Sequence, residues 1–344
     1  HPHSSTDAGL KKTTIKPTMF KAHNFSLVQS QAATIFTAIV MMVGARWLFA
    51  SADVIHINAN SGIVTPSANL WIESSYASML VNVGLILTTA VMMLILNQRY
   101  NLLGTVSTLE ATIFFPMCMA TPDLLVQLST GILLCIILIL CLFLLYDTYG
   151  NRNRTGNIYL IFLLLSGMTV TQYCYALYIP VFILGLGQMR IMGFKTLLAA
   201  LLGIVSPWWV MLGCGIAGTD DIRFPELESL FASVGLNDTL HVFAAVAVTA
   251  VIAMVSWSAN FMRMLSYNAH KRAYAGSITL VTLFTIIITL ADYPNVCAYL
   301  PVLCMCAAYH FTNYIARQQR QVQIPAVATI VAIYTAIYLW RMFL

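Results

Sequence analysis

The sequence predicts an all-α, polytopic integral membrane protein, and three observations carry that prediction. Of its residues 60% are hydrophobic and 8% are charged, where a soluble domain carries roughly 25% charged residues. The apolar residues come in long blocks, not in the short alternating strands of a barrel. The charges sort by loop, basic in one set and acidic in the other. A chain of 344 residues is long enough for a large soluble core, but this one lacks the polar surface to cover it. Mean hydropathy is +0.82.

The organisation follows. Residues 1–28 form a polar, basic cytoplasmic segment with Lys11, Lys12, Lys16 and Lys21, and residues 29–344 form a single transmembrane domain. A spanning helix needs about 20 apolar residues at 1.5 Å each. The first such block is 31–50, broken only by Arg46, and the second is 77–97. Block 102–120 carries Glu110, the one acid deep in a span, and block 124–146 is almost purely aliphatic. Blocks 158–171 and 173–186 are each short for a span and together too long for one helix. They read as a tight pair broken at Gln172 and Tyr173, with Pro180 in the second; the alternative is one long, kinked helix. Then come 196–217, 241–262, 277–291, 296–314 and 324–343, giving about eleven segments.

Charge decides between the two counts. With the amino terminus in the cytoplasm and eleven segments, the inner segments hold 14 of the 17 Lys and Arg. Arg99, Arg152, Arg154, Arg190, Lys195, Arg263, Lys271, Arg272, Arg317 and Arg320 join the four amino-terminal lysines there. Nine of the 12 acids fall outside: Asp53, Glu73, Asp123, Asp220, Asp221, Glu226, Glu228, Asp238 and Asp292. Reading 158–186 as one span would invert everything after it and put Arg263, Lys271, Arg272, Arg317 and Arg320 outside. The expected location is a bacterial inner membrane, with the carboxyl terminus outside.

Two loops suit a membrane surface as well as plain connection. "DDIRFPELESLFASVG" spaces Phe224, Leu227, Leu230 and Phe231 as on a helix face, and residues 263–276 mix Arg263, Lys271 and Arg272 with Tyr267 and Tyr274.

Several functions are excluded or unsupported. The charge of +5 reflects the basic inner loops and gives no ground for nucleic acid as a partner. The eight cysteines lie in or beside apolar blocks, as small filler, and form no disulfide framework. There is no P-loop, nucleophile elbow, H-E-x-x-H or C-x-x-C.

The residues able to carry chemistry are few. Arg46 sits inside a helix, where a cation needs pairing, hydration or a reach to the interface. It either snorkels outward, anchored by Trp47, or lines a polar cavity. Asp53, seven residues on, and Asp123, in the turn "ATPDLL", are external carboxylates at the mouths of neighbouring helix pairs. Each is either simply solvated or part of one cavity. There, one acid would take a proton while the other orients the acceptor or holds a divalent metal. His56, near Asp53 and Glu73, is a loose metal candidate. Glu110, flanked by Thr108 and Thr112, is either a hydrogen-bonded structural acid or a proton or ion relay.

The stretch "FLLLSGMTVTQYCYALYIPVFILGLGQMR" (162–190) with "LLAALLGIVSPWWVM" (197–211) resembles the middle of the GT-C superfamily, integral membrane glycosyltransferases that use polyprenyl-phosphate sugars. The shared features are Gly167, the break at Gln172 and Tyr173, Pro180, the basic turn of Arg190 and Lys195, and Pro207-Trp208. The resemblance implies a GT-C-like arrangement, catalytic acids at Asp53 and Asp123, and a sugar linked to a polyprenyl phosphate entering from the bilayer. Arg46, Arg223, His56, Glu73 and Tyr173 are then substrate-binding candidates. The chain departs from that pattern in its short first outer loop, in Val54 where a second acid is expected, and in its few outer basic residues. It is also similar to small polytopic inner-membrane proteins. The rival expectations are a non-enzymatic subunit or scaffold, with other envelope membrane proteins as partners, and a transporter that uses Glu110.

Overall fold

The computed structural model describes residues 31–51, 63–66, 68–104, 107–151, 153–215, 218, 236–316 and 318–343. Among these the chain is helical, with no strand. Its helices are α1 (Gln31–Ser51), α2 (Ser75–Tyr100), α3 (Leu109–Met119), α4 (Pro122–Val126), α5 (Thr130–Asp147) and α6 (Thr155–Thr169). A 3-10 stretch (Tyr173–Tyr178) leads into α7 (Ile179–Gln188), followed by α8 (Phe194–Gly213), α9 (Leu236–Leu265), α10 (Ala269–Ala291), α11 (Val296–Ile315) and α12 (Arg320–Phe343). Eight of them, α1, α2, α5 and α8 to α12, are long and apolar enough to cross a membrane. The segments α3, α6 and Tyr173–Gln188 are apolar but shorter.

Helix α11 is the hub. It is the least apolar of the eight, yet it is wholly buried, packed among α3, α5, α9 and α10. The reason is that lipid cannot hydrogen-bond to a side chain, whereas neighbouring helices can. His310 Nε2 meets Thr282 Oγ1 of α10 at 3.0 Å, and Asn260 Nδ2 of α9 donates to the His310 carbonyl at 3.2 Å. The aliphatic α1 and α8 pack on the outside, with Phe36, Trp47, Phe194 and Trp209 exposed.

Two expected spans are broken, each for a visible reason. Block 102–120 becomes helical only at Leu109, because Asn101 (φ 48°) and Gly104 (φ 74°) turn the chain. Leu102 and Leu103 are buried in that turn, so a loop carries the apolar signature of a helix. Block 124–146 is interrupted between α4 and α5, where Gln127 is extended. Polar residues of α2 replace the lost helix bonds: Ser78 Oγ accepts from Leu128 N at 2.8 Å, Asn82 Oδ1 accepts from Ser129 N at 3.2 Å, and Asn82 Nδ2 donates to Leu124 O at 2.7 Å. The expected break near residue 172 is present, with Gln172 extended between α6 and the 3-10 stretch.

The turns gather into two groups. One collects residues 64, 78–82, 121–131, 170–173 and 292–299; besides the α2 contacts, Val64 N bonds Val170 O at 3.0 Å. Its described acids are Glu73 and Asp292. The other collects the opposite helix ends. Arg99 pairs with Asp147 at 3.1 Å, Tyr100 OH donates to Asp147 at 2.7 Å, Tyr146 OH to the Tyr274 carbonyl at 3.1 Å, and Ser277 Oγ to Gln188 Oε1 at 3.1 Å. Arg154 comes to 4.0 Å from Asp147 and Lys271 Nζ lies beside Gly104, and Arg190, Lys195, Arg263 and Arg272 lie in or beside the connections at these helix ends.

Closest approach occurs at two glycines. A Cβ on Gly203 of α8 would lie 2.6 Å from the Tyr159 carbonyl oxygen of α6. One on Gly131, where α5 crosses α11, would lie 2.8 Å from Ala298 O. Both obstacles are backbone and cannot swing aside. Gly203→Val is expected to destabilise the protein by about 1–3 kcal/mol, the range for overpacking. Gly84→Ala on the open face of α2 is expected to stabilise by about 0.5–1 kcal/mol. Thermal unfolding of the two variants in detergent checks both signs.

Candidate functional site

The acidic group of turns holds a polar cluster built around Asp292, which ends α10. Its carboxylate accepts from Tyr173 OH (2.7 Å), Tyr299 OH (2.5 Å) and Asn295 Nδ2 (3.0 Å). Asn295 also donates to Tyr173 OH. Three segments are thereby tied at one point: the start of the 3-10 stretch, the end of α10 and the start of α11. "DYPNV" makes this possible, because Pro294 sits in a single 3-10 turn that brings Asn295 back beside Asp292. Asp292 is 8% exposed and has no Lys or Arg within ion-pair distance among the described residues. Among the described residues its hydrogen-bond donors are all neutral.

Beside the cluster lies a small cleft lined by Asn69, Gln127, Ser129, Thr130, Gln172 and Asn295, with Gly131 and Ala298 at its base. About 30 Å³ of it is open to the centre of a water-sized sphere, room for one or two waters. Gln172 precedes Tyr173 in extended backbone. It is 1% exposed, and neither its Nε2 nor its Oε1 has a hydrogen-bond partner. Asn295 spends both amide hydrogens on Tyr173 and Asp292, which leaves its carbonyl as an acceptor.

The residues expected to act fall as follows. Arg46 is exposed near the end of α1, its guanidinium 5.9 Å from the Phe49 ring and 5.8 Å from the Tyr76 ring. Among the described residues it has no carboxylate partner. Glu73 is exposed just before α2. Tyr173 is in the Asp292 cluster. Asp53, His56 and Arg223 lie outside the described residues, as do the segment 1–28 and the stretch "DDIRFPELESLFASVG" apart from its neighbours. Asp123 belongs to α4, and its side chain also lies outside what is described. Among the described residues no group of three His, Cys, Asp or Glu is placed to hold a metal. Glu110 is buried in the first turn of α3, with Oε2 unbonded. Thr34 and Thr112 bond to each other at 2.8 Å and not to it.

The Asp292 cluster and the Gln172 cleft are what the sequence reading missed. The signal was present in "TQYCY" and "DYPNVCAY", two polar-aromatic runs at helix junctions. Only folding brings them together. No protein-family model matches the chain, and neither a curated protein nor a solved structure matches it.

Asp292→Asn weakens acceptance of three hydrogen bonds and is expected to cost about 1.5–3 kcal/mol. Tyr173→Phe in that background is expected to cost clearly less than it does alone, since both changes break the same bond. Denaturation of the two single variants and the double variant measures the coupling.

Proposed function

We propose that the chain is a GT-C-like glycosyltransferase of a bacterial inner membrane, working at the acidic group of turns on the outer face. The observation that carries this reading is an apolar groove between α1 and α12, one end of which lies near Arg46. In this reading α3, α6 and Tyr173–Gln188 also cross, so the chain makes about eleven passes, amino terminus inside and carboxyl terminus outside. The alternate grouping of turns supports that threading. A groove of about 720 Å³ between α1 and α12, floored by α3, opens sideways and is lined by Phe36, Val327, Val331 and Leu339. It suits the apolar chain of a polyprenyl donor. Tyr338 OH bonds Gly44 O at 3.0 Å at the end of the groove nearest Arg46. Arg46 meets the donor phosphate there, and Arg223 is the other candidate for that role.

In the proposed reaction Asp53 takes the proton of an acceptor hydroxyl. The freed oxygen attacks the anomeric carbon, and the bond from that carbon to the phosphate oxygen breaks. The polyprenyl phosphate leaves with the electron pair. Asp123 orients the acceptor or holds a divalent metal, and His56, Glu73 and Tyr173 line the approach. A second reading, a membrane subunit of an envelope complex, is favoured by one observation: the cleft by itself is too small for a whole sugar ring.

Asp53→Asn and Asp123→Asn are each expected to slow transfer from a polyprenyl-phosphate sugar by about 10²–10⁴-fold in proteoliposomes, the range for loss of a general base, with unchanged melting. Transfer at the full rate in Asp53→Asn, or none by the unaltered protein with any such donor, favours the subunit.

A further inference from the structure

Three connections of the basic group of turns meet where α7 ends. Gly150 N, in the α5–α6 turn, donates to the Met189 carbonyl at 3.1 Å. Ser277 Oγ of α10 donates to Gln188 Oε1 at 3.1 Å, and Gly276 packs on the same amide. The Tyr149 and His270 rings lie 4.0 Å apart, tying the α5–α6 turn to the start of α10. These ties put Arg190, two residues past Gln188, beside a helix whose Arg272 is about 7–8 Å along the axis from Ser277. Both arginines are exposed, and neither has a carboxylate partner among the described residues. Asp147, at the end of α5, is already held by Arg99 and Tyr100.

Arg190 stands where the backbone disfavours it. Ile191 N bonds Leu186 O at 3.2 Å and Arg190 N bonds Gly187 O at 3.1 Å, the pair of bonds that closes a helix on a left-handed residue. That residue is Arg190, at φ 59°. Glycine fits there at no steric cost, whereas a side chain crowds the neighbouring carbonyl. An arginine held in that conformation implies a task for its guanidinium. The same turn carries Met192 and Phe194, both exposed, Phe194 at 83%. A cation flanked by bare apolar side chains suits a ligand that is anionic at one end and hydrocarbon at the other. A free phosphate or a nucleotide would leave Met192 and Phe194 in water.

We infer that Arg190 binds the phosphate of an anionic phospholipid, with Arg272 of the adjoining helix adding positive charge and Met192 and Phe194 among the acyl chains. The inference is independent of the transferase reading, since it concerns the other group of turns.

The test titrates the full chain, in a non-ionic detergent, with dioleoylphosphatidylglycerol, dioleoylphosphatidylcholine and potassium phosphate, and reads the thermal midpoint. A saturable rise with phosphatidylglycerol, beyond that given by phosphatidylcholine or phosphate, is expected. Arg190→Gly separates the side chain from the fold. Without lipid it is expected to melt at least as high as the unaltered protein, because glycine suits the left-handed turn. It is also expected to need about fivefold more phosphatidylglycerol for half the rise, the share of one cation near a phospholipid surface. Arg272→Gln is expected to do the same, whereas Arg263→Gln, at the end of α9 and outside these ties, is expected to leave the titration unchanged. An equal rise with phosphatidylcholine or with phosphate overturns the inference, and so does an unchanged titration in Arg190→Gly. Equal weakening in Arg263→Gln also overturns it, since that marks diffuse attraction. If Arg190→Gly does not fold, native mass spectrometry of the unaltered protein decides. Retention of phosphatidylglycerol in preference to phosphatidylcholine at equal concentration is expected, and equal retention overturns the inference.

Discussion

Lipid offers no hydrogen bonds, so each polar group this chain carries among its apolar helices has to be answered by another part of the chain. That constraint explains why the least apolar long helix, α11, lies at the centre. Its Tyr299, His310 and Asn313 meet Asp292, Thr282 and Tyr267. It also explains the α4–α5 break, where Ser78 and Asn82 answer a stretch of backbone that a continuous helix would have satisfied itself. The Asp292 cluster is the densest case, with one carboxylate joining three segments by neutral donors. Some buried polar atoms are left without a partner among the described residues, among them the Gln172 amide, Glu110 Oε2 and the Tyr175 hydroxyl.

The same constraint links fold to function. A membrane protein that buries polar side chains gains most when they answer one another, as they do around Asp292. The cleft is positioned by the Asp292 cluster on one side and by α2, through Ser78 and Asn82, on the other. Gly131 lets α5 approach the α11 backbone closely enough to close its base. Arg46 is held against Phe49 and Tyr76 at the end of α1, away from the cleft lining.

Much of the fold was legible in the sequence because hydropathy and charge are one-dimensional signals. The expected blocks overlap the helices, and the break at Gln172 was visible from block lengths and Tyr173. Hydropathy failed where burial and helicity part company. Leu102 and Leu103 are apolar because they are buried in a turn, and residues 124, 125, 128 and 129 are bonded by α2 side chains that no local pattern reveals. The candidate site was less legible. Asp292 read as one external acid among nine, since the groups that make it a hub, Tyr173 and Tyr299, come from other elements. Tyr173 was singled out through the resemblance to GT-C enzymes, for substrate contact and not for the hydrogen bond it makes.

The account depends on the two groups of turns facing opposite sides of the membrane. Single-cysteine variants at Glu73 and at Lys271, in a background with Cys214 replaced, can be exposed to a membrane-impermeant maleimide in intact cells and again after permeabilisation. The account predicts labelling of position 73 in intact cells and of position 271 only after permeabilisation. Labelling of both from the same side, or in the reverse order, would contradict it.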